Sequence, residues 1–490
     1  AVPNWKEDLC VQCGACSMAC PTGAIRTKAF EDIYLKDAPH SFKSVKWLEN
    51  DWEADLLNYT VQSHPSMCTS CNNCVDACTV GALTLIEGDK EFKEATINWE
   101  HFESIPEFDR FKIDITKVSQ QQLQEPLFKY PMAVDGCGEA PYLKLISQLF
   151  GDRMLIANAT GASSIFGGAL PTTPWAKNKD GRGPAWSNSL FEDNAEFGLG
   201  YRLSLDQQEQ QAKEWLKSLI GPIDFNLIYD ILDAKQDSEE EINKQRDRVE
   251  VLKKELTILN SEAAIRLRSV ADSLVKKSVW IVGGDGWAYD IGYGGLDHVM
   301  ASGKNVNILV LDNEVYDNTG GQMSKSTPMG ATAKFATMGK PKRKKDLGLL
   351  AMNYDDVYVA SVAIGADQEQ TLQALLEAES YDGPSIVIAY CHSDSHGIDM
   401  RHPSKYHKAA VDSAQWLLYR NDPRRAYNDV NTLQLDSKSP TIPIQEYLML
   451  ERRFSGLFGA DQQAIQPLVN KIQSQIDIRF NKYKALSTTL

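Results

Sequence analysis

The sequence holds 490 residues, 43% hydrophobic and 24% charged, a soluble globular composition with length enough for two or three sizeable cores. A formal net charge of −15 argues against a nucleic-acid partner, which wants a basic face; ordinary solubility accounts for it ahead of docking to a basic redox partner. No run of about 18 apolar residues exists to span a bilayer, and no secretory signal opens the chain.

The chain begins at Ala1, directly ahead of a cysteine motif, which reads as the interior of a longer polypeptide or a processed product. Eight of the ten cysteines fall in two tight arrays within the first 78 residues. A long chain so poor in cysteine elsewhere does not fit a secreted disulfide framework, so a reducing cytoplasmic or organelle-matrix setting is expected. The first array is Cys10-x2-Cys13-x2-Cys16-x3-Cys20, followed by Pro21; the second is Cys68-x2-Cys71-x2-Cys74-x3-Cys78, followed by Thr79. In two-cluster ferredoxins each triplet wraps one iron–sulfur cube and the fourth cysteine reaches across to the other. One 4Fe-4S cluster is thus expected on Cys10, Cys13, Cys16 and Cys78, and the other on Cys68, Cys71, Cys74 and Cys20. Thiolates also suit zinc, but the doubled spacing favours the cubes. Short apolar stretches follow each array, Gly23–Ile25 and Gly81–Ile86, and read as strands closing the two pseudo-symmetric halves. The 47 residues between Cys20 and Cys68 exceed what a minimal ferredoxin needs; with Trp47, Trp52, Leu56 and Leu57 this insert is expected to pack on neighbouring domains. The module is placed at 1–110, with the insert at 21–67.

Beyond it, apolar runs at Met154–Ala157, Val279–Val282, Val306–Leu311, Val357–Ala360 and Ile386–Tyr390 alternate with helix-period segments. This is the pattern of an α/β domain on a parallel sheet, placed at 111–400. Ligands on such sheets bind at the carboxyl ends of the strands. At one such end lies Gly284-Asp285-Gly286, and 28 residues past Asp285 lies Asn313, at the end of the next strand. Glycines let backbone approach phosphate oxygens, and Asp285 offers Mg²⁺ a hard oxygen. Asn313 and the Val315 carbonyl would complete a site whose other ligands are diphosphate oxygens and water. A lone GDG also fits an ordinary tight turn; the strand context and the placed asparagine are what raise it above that.

Residues 236–275 carry Val249, Leu252, Leu256, Ile258 and Leu259 among charges and read as a helical arm, a solvated helix ahead of an oligomer contact. The basic run Lys340-Pro341-Lys342-Arg343-Lys344-Lys345 reads as a solvated turn ahead of a site for an acidic partner or a phosphate-bearing substrate such as coenzyme A. Residues 401–490 show scattered helical periodicity around Tyr447, Leu448, Phe454 and Leu457 and are expected as an extension packing on the domain or a partner subunit.

The runs GDGWAYDIGYGGLDHV (284–299), LDNEVYDNTGGQMSKSTPMGA (311–331) and AKFATMGK (333–340) resemble the thiamine-diphosphate domain of pyruvate:ferredoxin (flavodoxin) oxidoreductase. So do GCGEAPY (136–142), ANATGASSIFGG (157–168) and GRGPAWSNSLFEDNAEFG (181–198), and the resemblance extends over the cluster module to nearly the whole chain. It implies the carboxyl-terminal part of a longer enzyme that decarboxylates a 2-oxo acid, pyruvate with coenzyme A, and passes electrons one at a time through the clusters to ferredoxin, flavodoxin or another redox partner. It also implies thiamine diphosphate on Mg²⁺ at Asp285, Asn313 and Val315, cofactor contacts around Gly161, Ser163, Gly284 and Gly286, and Asn318 facing the substrate and the reactive ring. The activating glutamate and most of the substrate pocket would belong to missing amino-terminal domains or a separate subunit, and homo-oligomers are expected.

One departure stands out. The family's third, proximal cluster would take ligands at Val134, Cys137, Ala162 and Ser393, and only Cys137 is a cysteine. Cys391 lies two residues from the fourth position, with His392 beside it. A stable cube needs four strong ligands, so the proximal cluster is expected to be absent. Without it the alternatives are an electron-transfer or assembly subunit with a silent thiamine site, or a non-oxidative decarboxylase. His396, within a matched stretch, reads as a packing or supporting histidine ahead of a catalytic one.

Overall fold

The computed structural model describes residues 1–50, 52, 56–168, 172–458 and 462–488. Five strands lie in the amino-terminal module: β1 (Val2–Trp5), β2 (Ile25–Glu31), β3 (Val45–Lys46), β4 (Leu57–Ser63) and β5 (Leu83–Ile86). β1 and β5 pair antiparallel, Trp5 opposite Leu83, while β2, β4 and β3 form a second antiparallel sheet. The cysteine arrays follow β1 and β4, each in loops around one short helix, Ala15–Ala19 with Cys16 and Asn73–Asp76 with Cys74. Gly23–Ile25, expected as a strand closing one cluster half, contributes only Ile25, which opens a seven-residue strand that pairs with β4 of the insert. The insert is therefore a sheet in its own right, because its alternating residues bury Trp47, Leu57, Tyr59 and Val61 against Trp5, Ala24 and Leu83. Leu56 remains exposed.

The second body is built on eight strands. In chain order they are β6 (Met154–Asn158), β7 (Ala185–Asn188), β8 (Ser278–Gly284), β9 (Asn307–Asp312), β10 (Tyr358–Val362), β11 (Ser385–Tyr390), β12 (Tyr419–Asn421) and β13 (Leu433–Leu435). The sheet order is β13-β12-β10-β11-β9-β8-β6-β7, parallel from β10 through β7. The five expected strands are all present. They read as unbroken apolar runs because both faces are covered: Val279 and Ile281 join one core with Leu296 and Val299, while Trp280 and Val282 join the other with Leu143, Ile146 and Leu375. The carboxyl-terminal residues do more than pack on this sheet. Their β12 and β13 extend it antiparallel, and Tyr483 of the helix Gln462–Thr488 lies 4.8 Å, ring to ring, from Tyr419 of β12. Three-residue strands carry too little periodicity to be seen beforehand.

The arm consists of the helices Phe225–Leu232, Glu239–Ile258 and Glu262–Val270, which share a separate core with the long helix Asn194–Ser218 through Leu216, Ile228, Leu252, Leu256 and Leu267. Ser238 caps its longest helix, accepting from the Glu241 amide ahead of an acidic first turn that suits the helix dipole. Among the described residues no helix is long and apolar enough to cross a membrane.

Glu239 fastens the arm to the sheet body. Its carboxylate meets Arg110 Nε at 3.0 Å and Arg153 Nη1 at 2.7 Å, and Arg153 also holds Glu379. Burial opposes the charge, but Arg153 and Arg110 outweigh it and lower Glu239 from the ordinary 4.5 to about 2. Its contribution is therefore complete above about pH 4.5 and lost as the pH falls toward 2. Glu239→Gln, which leaves the buried Arg153 and the half-buried Arg110 short of a partner, is expected to lower unfolding stability by about 3 kcal/mol in neutral-pH denaturant titrations. The difference from the parent should shrink as the titration is repeated at lower pH.

Candidate functional site

Gly284 pairs with Leu311, so β8 and β9 end together and deliver Asp285 and Asn313 side by side at the carboxyl edge of the sheet. Asp285 is 1% exposed and Asn313 3%. One Asp285 oxygen, Oδ2, accepts a hydrogen bond from Ser324 Oγ at 2.5 Å; the other, Oδ1, is buried with no partner. The Asn313 amide nitrogen donates to Glu139 Oε1 and to Asp317 Oδ2, each at 3.2 Å, which leaves its Oδ1 likewise buried and unpartnered. Two orphaned hard oxygens on adjacent strand ends are the donor set a divalent cation takes. Burial, with Asp312 adding to it, pushes the Asp285 carboxyl well above the carboxylate range. Ser324 and Lys344 relieve it only in part, the Lys344 ammonium being bound to Asp312 at 2.9 Å and Glu314 at 3.0 Å. Gly286 is needed for close approach: a Cβ there would stand 2.4 Å from the Tyr316 ring, whose hydroxyl donates to the Gly286 carbonyl.

The support of this pair was only partly foreseen. His396 Nε2 donates to the Asn313 carbonyl at 2.6 Å, and burial lowers the imidazole to about 3, so it is a neutral positioning group. Ser324 and Glu139 were not singled out from sequence, although both lie in matched stretches; a serine two strands' length from its carboxylate has no local signature. Glu139 is raised to about 8, by burial first and by Asp317 second. Val315 is buried behind Asn313, whereas Asn318 is exposed in the turn beyond. Gly161 faces open space. Ser163 is buried, its hydroxyl accepting from Asn158 Nδ2 at 2.9 Å. The basic run is largely committed: Lys340 Nζ donates to the carbonyls of Ser324, Lys325 and Thr327, and Lys345 Nζ to that of Tyr289.

Of the four positions matched to proximal-cluster ligands, Val134 is 58% exposed, Cys137 and Ser393 are buried, and Ala162 is half-buried. Ser393 Oγ donates to Asp317 Oδ2, and Ser395 Oγ donates to Asp317 Oδ1 at 2.9 Å. Burial, then Glu139, pushes the Cys137 thiol up to about 12.

The eight amino-terminal cysteines gather in two groups. Burial raises the Cys16 thiol, and Cys13, Cys10 and Cys78 crowd it further. Cys74 is raised by burial and by Cys20, Cys16, Cys71 and Cys68. One cavity is walled by Cys20, Cys68, Cys71 and Cys74 together. Among the described residues no three His, Cys, Asp or Glu side chains converge on the space of a single ion.

A family profile described as "Thiamine pyrophosphate enzyme, C-terminal TPP binding domain" matches residues 263–389, and one described as "4Fe-4S dicluster domain" matches residues 9–82. The chain thus joins an iron–sulfur dicluster domain to a thiamine pyrophosphate-binding domain. It is 51% identical to pyruvate-flavodoxin oxidoreductase of Trichormus variabilis and 50% identical to that of Nostoc sp., in both cases over 99% of this chain and 42% of the relative. Against pyruvate:ferredoxin oxidoreductase of Moorella thermoacetica the identity is 43%, again over 99% of this chain and 42% of the relative. The chain is homologous to one part of the pyruvate-flavodoxin and pyruvate:ferredoxin oxidoreductases, and spans about two fifths of these relatives' length.

Gly138 couples Cys137 to Glu139, and a Cβ there would lie 2.3 Å from the His392 carbonyl oxygen and 2.7 Å from its amide nitrogen. Backbone cannot yield as a flexible side chain does. Gly138→Ala is expected to cost about 1–3 kcal/mol in chemical denaturation, by forcing the Glu139 loop off the β11 end.

Proposed function

We propose that Asp285, Asn313 and the Val315 carbonyl hold Mg²⁺ on thiamine diphosphate, with Gly284, Gly286, Gly161, Ser163 and Asn318 around the cofactor. Cys10, Cys13, Cys16 and Cys78 ligate one 4Fe-4S cluster, and Cys68, Cys71, Cys74 and Cys20 the other. The chain is read as a cluster module (1–110), a thiamine domain (111–400) and a carboxyl-terminal extension (401–490) of a larger assembly. That assembly oxidatively decarboxylates a 2-oxo acid, pyruvate with coenzyme A, and delivers electrons to ferredoxin or flavodoxin. The observation that carries the reading is the pair of buried, partnerless oxygens of Asp285 and Asn313 on adjacent strand ends.

Thiamine diphosphate, when bound, supplies the carbanion chemistry of decarboxylation. The chain's residues place and shield it: Asp285 and Asn313 fix the metal, Ser324 and Glu139 orient those two ligands, and His396 holds the Asn313 backbone. Asp285→Ala is expected to weaken Mg²⁺-dependent thiamine diphosphate binding, read by calorimetry, more than Ser324→Ala. For the latter a loss of about 10–100-fold is expected, as for outer-shell partners of metal ligands. Equal affinity in Asp285→Ala and the parent would overturn the site.

The replacement of three proximal-cluster cysteines favours a second reading, a silent thiamine site in an electron-transfer or assembly part, or non-oxidative decarboxylation. We infer that the third cluster is missing, so iron analysis of the intact protein should give about eight irons per chain, the sum of two four-iron cubes; about twelve would refute this. Anaerobic EPR after pyruvate, with and without coenzyme A, separates the readings: cluster reduction supports the oxidoreductase, whereas aldehyde and carbon dioxide without reduction support the decarboxylase.

A further inference from the structure

Lys144 sits in the helix Ala140–Phe150 of the thiamine domain, yet its ammonium lies inside the cluster module. It is 1% exposed. Nζ donates to the carbonyl oxygens of Ser17, Met18 (3.2 Å) and Cys20 (2.8 Å), at the carboxyl end of the short helix Ala15–Ala19. Three carbonyl acceptors take three N–H donors, which only a protonated lysine offers. No carboxylate forms an ion pair with it among the described residues; burial lowers it to about 8, Arg26 adding to this, while Cys20, Cys16 and Cys74 act on it in the opposite sense and favour the cation. Resting on the ligand assignment above, Cys16 belongs to one cube and Cys20 and Cys74 to the other. The cation therefore lies at the junction of the two.

We propose that Lys144 is a redox-positioning residue, a buried fixed cation that raises the reduction potentials of both clusters. Each cube gains one negative charge on reduction. A cation held nearby, away from water and without a carboxylate of its own, favours the reduced form more than an exposed lysine would. The helix that delivers this charge begins next to Glu139, the partner of Asn313, so the thiamine domain itself sets the electrical environment of the electron wire.

The test is an EPR-monitored redox titration of the intact protein, with iron counted for each variant. Lys144→Gln keeps donors for the carbonyls and removes the charge; Lys144→Arg keeps the charge. Lys144→Gln with about eight irons should be about tenfold harder to reduce at a given ambient potential, a shift of 59 mV to the negative for a one-electron couple. Lys144→Arg should stay within about threefold of the parent. Unchanged potentials in Lys144→Gln, or equal shifts in both variants, would overturn the proposal. Loss of iron from Lys144→Gln alone, or from both variants, would also overturn it, in favour of an assembly or packing role. A parent protein without about eight irons would instead sink the ligand assignment, a distinct failure visible before any variant is made.

Discussion

Asp285 is a carboxylate sealed from water, with one oxygen held by Ser324 and the other facing no donor. Such a group is stable only as a neutral acid or against a cation. The Lys344 ammonium is divided between Asp312 and Glu314, and Glu314 is also bound by Arg453. Those charges pair with one another, and among the described residues no cation forms an ion pair with Asp285. Asn313, forced by two carboxylates to turn its nitrogen away, adds a second free oxygen beside it. Two hard acceptors buried at neighbouring strand ends, with a thiamine pyrophosphate-binding profile over both, are what the proposed Mg²⁺ site rests on.

The same constraint links the two domains. The helix Ala140–Phe150 leaves Glu139, holds the strand ends through Tyr142, whose hydroxyl donates to the Tyr390 carbonyl and accepts from the Ile364 amide, and then sends Lys144 between the cysteine arrays. Further contacts tie the cluster loops to the sheet body: Asp76 accepts from the Ser404 amide at 2.8 Å, and Asn72 donates to the Arg401 carbonyl at 3.1 Å. Packing of this kind keeps the two sites at a fixed separation, as the proposed electron transfer between them would require.

The cysteine spacing and the unbroken apolar strands were legible because each depends on local pattern: four thiols at fixed offsets, and runs buried on both faces. Asp285 and Asn313 were legible through strand context. What escaped were relations across the chain. Ser324 reaches Asp285 over 39 residues and Asn313 reaches Glu139 over 174, and nothing in either segment announces the other. The insert sheet was hidden because β2 pairs with a distant strand, Glu31 opposite Leu57 and Ile25 opposite Ser63, and β12 and β13 because three residues carry no period. The basic run looked like a surface feature, yet Lys340 and Lys344 are drawn inward by carbonyls and carboxylates that only the fold supplies.

The inferred loss of the proximal cluster has a physical side beyond the count of thiols. A cube there would carry several thiolates, and the region now holds Asp317, tied to Ser393, Ser395 and Asn313. A carboxylate in that place repels the charge a cluster would bring, so the substitutions work in one direction. Ser393 is the replaced position that joins this network, which through Asp317 holds the amide of Asn313. On this reading Ser393 supports, through Asp317, the proposed metal ligand Asn313, and electron transfer would fall on the two cubes and on whatever fixed charge tunes them.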